Sequence, residues 1–232
     1  MSFFKTPSCL DDFALKQVTR DRLEHILLGV HKIPDYGVNG VILWGPYGSG
    51  KTTLAELLPD WIEYSKTQPQ LTRAAVGQCA GIPVCPLDVL FNPCAQGQNG
   101  IQLINQINVF TNFVSYGTES GYKFVILDEV DLLTPAAQAS LKSIMSNSRN
   151  VVFIMTTNHL DQIDCGVENR SIVLDMCAAT EQAWHDKLER DFANQNEPFD
   201  WALWEPIVQL GNGSCRVILN DIEKALALRN VA

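Results

Sequence analysis

Residues 38–58 of the chain read VNGVILWGPYGSGKTTLAELL, and this segment determines the class of the fold. Its first seven residues are mostly apolar and predict a short buried strand, whereas residues 51–58 contain few helix breakers and predict a helix. Further apolar segments at 124–127, 151–155 and 171–176 predict buried strands, with helical patterns between most of them. Strands that alternate with helices predict an α/β fold in which a parallel sheet is covered by helices on both faces.

The turn between the first strand and its helix has the pattern G-x-x-x-x-G-K-[ST], which is typical of a nucleotide-binding P-loop. Its glycines let the backbone curl so that successive N–H groups face phosphate oxygens, and the following helix adds its positive N-terminal end. Lys51 would reach the β- and γ-phosphates of ATP, and Thr52 would place its hydroxyl on Mg²⁺. The predicted nucleotide-binding residues of this turn are Gly45, Pro46, Tyr47, Gly48, Ser49, Gly50, Lys51, Thr52 and Thr53.

Acidic and amide side chains come at or shortly after the ends of two later predicted strands, 124–127 and 151–155. Asp128 and Glu129 end the strand predicted at 124–127, and a carboxylate there can hold Mg²⁺ opposite Thr52. Asp128 is the predicted metal ligand and Glu129 the predicted general base for water. Asn158 ends the following strand, which we expect beside the Asp128 strand, and it can hold the attacking water or touch the γ-phosphate. Alternatively, Asp128 and Glu129 are solvated acids of a loop, and Asn158 is an ordinary turn residue before a helix.

Two arginines, Arg170 and Arg216, are the remaining cationic candidates. A planar and permanently charged guanidinium suits stabilisation of a γ-phosphate, either within one subunit or across a subunit interface. Spacing alone favours ordinary surface arginines at both positions.

The pattern changes after Cys177. Trp184, Leu188 and Phe192 fall on one helical face, and residues 217–228 carry a second apolar stripe. We therefore expect a nucleotide-binding core at residues 1–177 and a small helical lid at 178–232. Residues 68–98 are rich in proline, glycine and cysteine, and we expect loops there with at most one strand, near 84–91.

Composition limits the classes of protein that the chain can represent. Its 232 residues carry 17 Lys and Arg against 26 Asp and Glu, a net charge of −9, which argues against a freestanding electrostatic DNA-binding protein. No apolar run approaches the roughly 18 residues of a membrane span, and the N-terminus lacks a signal-peptide pattern. We expect a cytoplasmic protein with no membrane contact, whose seven scattered cysteines remain reduced.

Several segments together resemble the AAA+ ATPases, and within them clamp-loader subunits such as replication factor C small subunits and the phage clamp-loader ATPase. Residues 128–141, DEVDLLTPAAQASL, are similar to the signature D-E-A-D…T-x-x-A-Q-x-A-L. Residues 7–13, PSCLDDF, look like the R-P-x-x-L-D-D segment that precedes the P-loop, with Thr6 at the place of the arginine. Residues 213–220, GSCRVILN, look like the lid motif G-D-x-R-x-A-L-N.

The resemblance implies a role for each candidate. Asn158 falls at the sensor-1 position, and Arg216 matches the sensor-2 arginine that reads the γ-phosphate in the same subunit. Arg170, in Glu168-Asn169-Arg170-Ser171, stands at the S-R-C motif, whose arginine enters the ATP site of the neighbouring subunit. These matches imply that ATP is hydrolysed with Mg²⁺ at the interfaces of a ring or spiral built from this chain or related AAA+ subunits.

The same resemblance implies a protein partner such as a sliding clamp or another effector, and DNA contact through the assembly. Because the predicted lid occupies residues 178–232, we expect the helical collar domain of clamp loaders to be absent. The helix predicted at 101–113 contains no lysine or arginine that could contact DNA.

Two other functions stay open at this point. The chain can be an ATP-binding switch or scaffold that recruits a helicase, transposase, nuclease or defence effector in a phage or mobile-element system, with hydrolysis as a slow reset. The acidic balance and the expected absence of a collar motivate this alternative. A small-molecule P-loop kinase is a weaker option, since Asp128-Glu129 on a strand and a helical lid with Arg216 argue against it.

Overall fold

The computed structural model describes residues 2–35, 37–68, 70–94 and 100–229. The sheet consists of five parallel strands: β1 (Gly40–Trp44), β2 (Val89–Pro93), β3 (Lys123–Asp128), β4 (Val151–Thr157) and β5 (Ser171–Asp175). Their order is β2-β3-β4-β1-β5, so β4 lies between the P-loop strand and the strand that ends in Asp128. The expectation that the Asn158 strand lies beside the Asp128 strand is confirmed.

The described residues also contain the helices that cover the sheet and follow it. They are α1 (Gln17–Leu27), α2 (Lys51–Thr67), α3 (Arg73–Gln78), α4 (Gly100–Asn112), α5 (Pro135–Asn147), α6 (Cys165–Glu168), α7 (Glu181–Asn194), α8 (Trp201–Leu210) and α9 (Cys215–Arg229).

The two faces of the sheet bury separate apolar clusters. Side chains of a strand alternate between faces, so Phe124 and Ile126 pack with α1 and α2, whereas Val125 and Leu127 pack with α4 and α5. Because helices cover both faces, the strands can be apolar throughout, as their sequences are. The predicted α/β class with a covered parallel sheet is confirmed.

Helix α5 begins where the sequence predicts. The Thr134 hydroxyl accepts a hydrogen bond from the Ala137 N–H (3.3 Å), and Pro135 occupies the first helical position. Helix α2 continues well beyond the predicted residue 58, to Thr67, with Pro59 inside it. Its second half is retained because Trp61 and Ile62 are buried against the sheet.

The expectation of loops with at most one strand at 68–98 is wrong at α3. This six-residue helix is too short to show an apolar period, and it is held instead by ion pairs from Arg73 to Asp21 and Glu24 of α1. The strand in this region is β2, which lies nearer the C-terminus of the chain than the segment predicted at 84–91. Part of the predicted loop, residues 69 and 95–99, lies outside the described residues.

Helices α7, α8 and α9 bury a third apolar cluster of their own. The predicted face of Trp184, Leu188 and Phe192 is buried, and it packs on Trp204 of α8 and Ile218 of α9. We call these three helices the helical lid. Among the described residues, no helix combines the length and the apolar character that a membrane-spanning segment requires.

Candidate functional site

The P-loop connects the end of β1 to the start of α2 at the carboxyl edge of the sheet. Gly48 (φ +75°) and Gly50 (φ +89°) adopt left-handed backbone conformations that side chains disfavour. Gly45 has a different constraint, because a Cβ atom there would lie 2.7 Å from the Met176 carbonyl oxygen. The loop can therefore take this curled path only with glycines at these positions.

Lys51 lies folded back inside the P-loop. Its ammonium donates hydrogen bonds to the carbonyl oxygens of Gly45 (2.9 Å) and Pro46 (2.8 Å). Burial lowers the pKa of the Lys51 ammonium, and the nearby negative charge of Asp128 opposes that shift only in part. The positive charge of Lys51 is thus poorly solvated and directed at the space that the loop encloses.

Two hydroxyl groups meet on one oxygen of Asp128. The Thr52 hydroxyl donates to Asp128 Oδ1 at 2.9 Å, and the Thr156 hydroxyl, from β4, donates to the same oxygen at 2.6 Å. Thr156 also accepts the backbone N–H of Glu129 at 2.9 Å. The structure therefore places Thr52 beside Asp128, as the P-loop pattern predicts, and Thr156 orients both carboxylate-bearing residues.

Thr156 is a part of the site to which sequence reasoning assigned no role. The signal that could have identified it is a hydroxyl residue near the carboxyl end of the strand that separates β1 from β3. This strand was expected beside the Asp128 strand, but the contact between the Thr156 hydroxyl and Asp128 is evident only in the structure.

Glu129 directly follows β3 and has a left-handed backbone (φ +59°), which is uncommon for a residue other than glycine. Such conformations typically cost about 1–3 kcal/mol and concentrate at functional sites. The conformation is held by the Thr156 contact and by the Leu132 N–H, which donates to the Glu129 carbonyl (3.0 Å). The turn directs the chain away from the sheet immediately after the predicted general base.

Several polar side-chain atoms near this edge are buried without a hydrogen-bond partner among the described residues. They include Oδ1 of Asn158 and Oδ1 of Asp131. A third is Nδ2 of Asn92 on β2, which pairs in register with Leu127 on β3 and so points to the same face of the sheet as Leu127. Buried polar atoms in proteins are nearly always hydrogen-bonded, so these groups are suited to contact a ligand.

The helical lid closes one side of the P-loop. The Arg216 N–H, at the start of α9, donates to the Gly48 carbonyl (3.1 Å), and the Cys215 thiol contacts the Ser49 carbonyl (3.5 Å). A cavity of about 200 Å³ lies between the lid and the loop, and Arg216 and Leu219 line it on the lid side. The Arg216 side chain is exposed at this cavity.

Arg170 lies away from this site, at the edge of the sheet formed by the amino ends of the strands. It immediately precedes β5, whose first residue pairs with Gly40, so the length of β1, roughly 13 Å, separates it from the P-loop. Its guanidinium donates to the Ser146 hydroxyl (2.9 Å) and the Gly166 carbonyl (2.7 Å). Arg170 cannot reach the nucleotide position of its own chain.

Together, a parallel sheet, a P-loop and a carboxylate bound to the P-loop threonine define a nucleotide-binding protein of the P-loop class. Residues 41–173 match the family described as ATPase family associated with various cellular activities (AAA). The chain therefore belongs to the AAA family, and the predicted resemblance to it is confirmed.

Relatives of known name include replication factor C subunits. Replication factor C subunit 3 of Oryza sativa subsp. japonica is 24% identical over 221 residues, which cover 94% of this chain and 54% of that protein. The replication factor C small subunit of Saccharolobus solfataricus is 24% identical over 228 residues, covering 97% of this chain and 61% of that protein. The chain spans roughly half the length of such relatives.

A solved structure shares the fold. A DNA polymerase III gamma subunit-related protein from Thermotoga maritima superposes with a TM-score of 0.52 at 16% sequence identity, over 84% of this chain and 54% of that one. At this identity the likeness establishes the fold and nothing further.

Proposed function

We propose that the chain is an ATPase subunit of the clamp-loader type, which binds ATP between its P-loop and its helical lid and hydrolyses it at the interface with a neighbouring subunit. The contact between the Thr52 hydroxyl and Asp128, at 2.9 Å, carries this proposal. It brings a P-loop hydroxyl and a strand-end carboxylate together beside the Lys51 ammonium, which is the arrangement that phosphoryl transfer from ATP requires.

The donor set fits Mg²⁺. The Thr52 hydroxyl and the Asp128 carboxylate supply two adjacent oxygens, and Mg²⁺ prefers one or two such protein oxygens together with water and phosphate. Bound there, Mg²⁺ would neutralise charge on the β- and γ-phosphates. Thr156 would hold the Asp128 oxygen in position, because its hydroxyl donates to it.

The surrounding residues then have separate roles. Lys51 would exchange the carbonyl oxygens of its own loop for phosphate oxygens, which its poorly solvated charge favours. Glu129 would accept a proton from the attacking water. Oδ1 of Asn158, which has no hydrogen-bond partner among the described residues, would orient that water. Arg216 would reach the γ-phosphate from the lid, since it borders the cavity beside Gly48.

Arg170 would act on the site of a neighbouring subunit. It lies at the edge of the sheet opposite to its own P-loop, and an adjacent copy or a related AAA+ subunit in a ring or spiral can offer its P-loop to that edge. A guanidinium supplied in this way stabilises charge on the transferred phosphoryl group. ATP hydrolysis would then depend on assembly.

The partner contact is proposed for exposed apolar residues at and after the end of α4. Val109, Phe113, Val114 and Tyr116 are each more than half exposed. Contiguous exposed apolar residues mark protein interaction sites, and no lysine or arginine lies on α4. A protein such as a sliding clamp fits this surface, with DNA held by the assembly.

The division into a core at 1–177 and a lid at 178–232, and the cytoplasmic location, belong to the same proposal. Its experiment measures the mass of the purified protein and its ATPase rate, with an ATP analogue or ATP, with and without primed DNA. We expect an ATP-dependent oligomer and hydrolysis that is lost in Lys51→Ala and Glu129→Gln. A monomer that binds ATP but hydrolyses it only slowly would contradict the motor and favour an ATP-binding switch.

A further inference from the structure

Residues 2–4 contact the helical lid, although the lid is nearly the whole chain away from them in sequence. Oε1 of Glu223, on α9, accepts hydrogen bonds from the backbone N–H groups of Phe3 (2.9 Å) and Phe4 (3.3 Å) and from the Ser2 hydroxyl. The side-chain amide of Gln195 donates to the Phe3 carbonyl (3.0 Å). One carboxylate oxygen of Glu223 thus accepts hydrogen bonds from three consecutive residues.

Aromatic contacts add to these hydrogen bonds. The ring of Phe3 packs on the buried ring of Phe192, with centroids 4.8 Å apart, and the Lys187 ammonium lies 5.8 Å from the centroid of Phe4. Both phenylalanines extend the apolar cluster of the lid. The attachment therefore combines apolar packing with a charged acceptor.

The residues that follow are held by the core. The Trp61 indole, on α2, donates to the Ser8 carbonyl (3.2 Å), and Asp11 forms an ion pair with Arg20 of α1. Arg190 of the lid donates to the Asp11 carbonyl (2.8 Å). Residues 2–14, which we call the N-terminal strap, therefore run from the lid to the core and are fastened to both.

The middle of the strap forms a wall of the cavity beside the P-loop. Pro7, Phe13 and Ala14 line it, opposite Gly48 of the loop and Leu219 of the lid. A change in the position of the strap on the lid would alter the shape of this cavity. The lid follows β5 in the chain, and the strap supplies a second connection between the lid and the core.

We propose that Glu223 is a positioning residue for nucleotide binding, because it fastens the N-terminal strap to the lid and so holds the lid, the strap and the P-loop in one arrangement. The use of the cavity for ATP rests on the proposed function. When Glu223 releases the strap, the lid spends less time against the P-loop, and the apparent affinity falls in proportion to the fraction of molecules that remain closed.

Cys215 provides a readout that needs no nucleotide. Its thiol lies on the lid against the Ser49 carbonyl of the P-loop, so a thiol reagent reaches it when the lid moves away. Cys94, buried beside β3, reports global unfolding in the same sample. Labelling resolved by peptide mass spectrometry separates the two events.

The experiment compares wild-type protein with Glu223→Ala, Glu223→Gln and a deletion of residues 2–4. Glu189→Ala, an exposed glutamate on α7, is the matched control. We expect Cys215 to react several-fold faster in Glu223→Ala and in the deletion, with Cys94 unchanged, and Glu223→Gln to show a smaller effect since it keeps an acceptor oxygen. The Kd for ATP should rise about tenfold in Glu223→Ala.

A double variant supplies the stricter test. Combining Glu223→Ala with the deletion should add nothing to the deletion alone, because the deletion already removes the groups that Glu223 contacts. Equal Cys215 labelling in wild-type protein and Glu223→Ala, or additive effects in the double variant, would overturn the proposal. Failure of the wild-type protein to bind ATP would refute the proposed function instead and leave the labelling comparison valid.

Discussion

Individual residues at the carboxyl edge of the sheet are held by contacts that only the folded chain creates. Lys51, Thr52 and Asp128 follow recognisable patterns, so their types and order were predictable from sequence. Thr156 was not, because its role depends on a hydrogen bond to Asp128 Oδ1 that only the folded structure shows. The sequence led to the expectation that the Asn158 strand lies beside the Asp128 strand, but periodicity does not show which side chain of that strand contacts Asp128.

Replacing Thr156 by valine tests its role at this scale. The substitution keeps the shape and removes the hydroxyl that donates to Asp128 and accepts from the Glu129 N–H. Mutation of a residue that orients a metal ligand typically lowers metal affinity or activity by about 10- to 100-fold. We expect a loss of about that size in the ATPase rate or in the affinity for Mg²⁺.

Titration of Mg²⁺ at saturating ATP measures this effect. Thr111→Val, on α4 and away from the site, is the matched control and should leave the titration unchanged. A Thr156→Val protein with wild-type Mg²⁺ dependence and rate would show that the hydroxyl is only structural.

At the level of elements, the sequence predicted long, periodic helices and buried strands well and short docked elements poorly. Helix α5 begins at its predicted cap, and the three buried residues of α7 share the predicted face. Helix α3 was missed because the ion pairs of Arg73 to α1 are tertiary contacts, and because its one local signal, the Thr72 cap, precedes only six helical residues. The second half of α2 was missed because Pro59 reads as a helix breaker although burial retains the helix.

The attachment of α1 to β5 should depend on pH. Burial raises the pKa of the Asp175 carboxyl, but the Lys16 ammonium (2.6 Å) and Cys177 lower it more, so the net shift is downward from 3.8. A depressed pKa stabilises the fold above the ordinary value of that group and loses this contribution as the pH falls through the lowered value.

We therefore expect Asp175→Asn to be less stable than wild-type protein at neutral pH and to lose less stability on acidification. Thermal unfolding between about pH 5 and pH 2 measures this difference. Asp161→Asn, at an exposed position, is the control. Parallel curves for wild-type protein and Asp175→Asn would rule out the ion pair as the cause.

The packing of the lid can be tested at the same scale. Phe192 is fully buried and contacts Phe3, Phe199 and Trp204. Phe192→Ala leaves a cavity and removes buried apolar area, so we expect a loss of about 3–5 kcal/mol from the free energy of unfolding. Denaturant unfolding followed by tryptophan fluorescence measures it, and a loss below 1 kcal/mol would contradict the packing described for the lid.

At the scale of the whole molecule, the net charge and the position of Arg170 bear on how the chain acts. The net charge of −9 disfavours direct DNA binding by a single chain, while Arg170 lies at the edge of the sheet away from its own P-loop. Both features are consistent with a subunit whose activity is completed by a neighbour. Sequence reasoning could name Arg170 from its motif, but its distance from the P-loop required the strand register.

Mixing two inactive variants tests the shared site most directly. Glu129→Gln keeps Arg170, and Arg170→Ala keeps an intact P-loop with Glu129, so a mixed assembly contains interfaces in which both groups are present. We predict that each variant alone has little ATPase activity and that an equal mixture regains a measurable fraction of the wild-type rate. An oligomeric Arg170→Ala protein that hydrolyses ATP at the wild-type rate would contradict hydrolysis at a shared site.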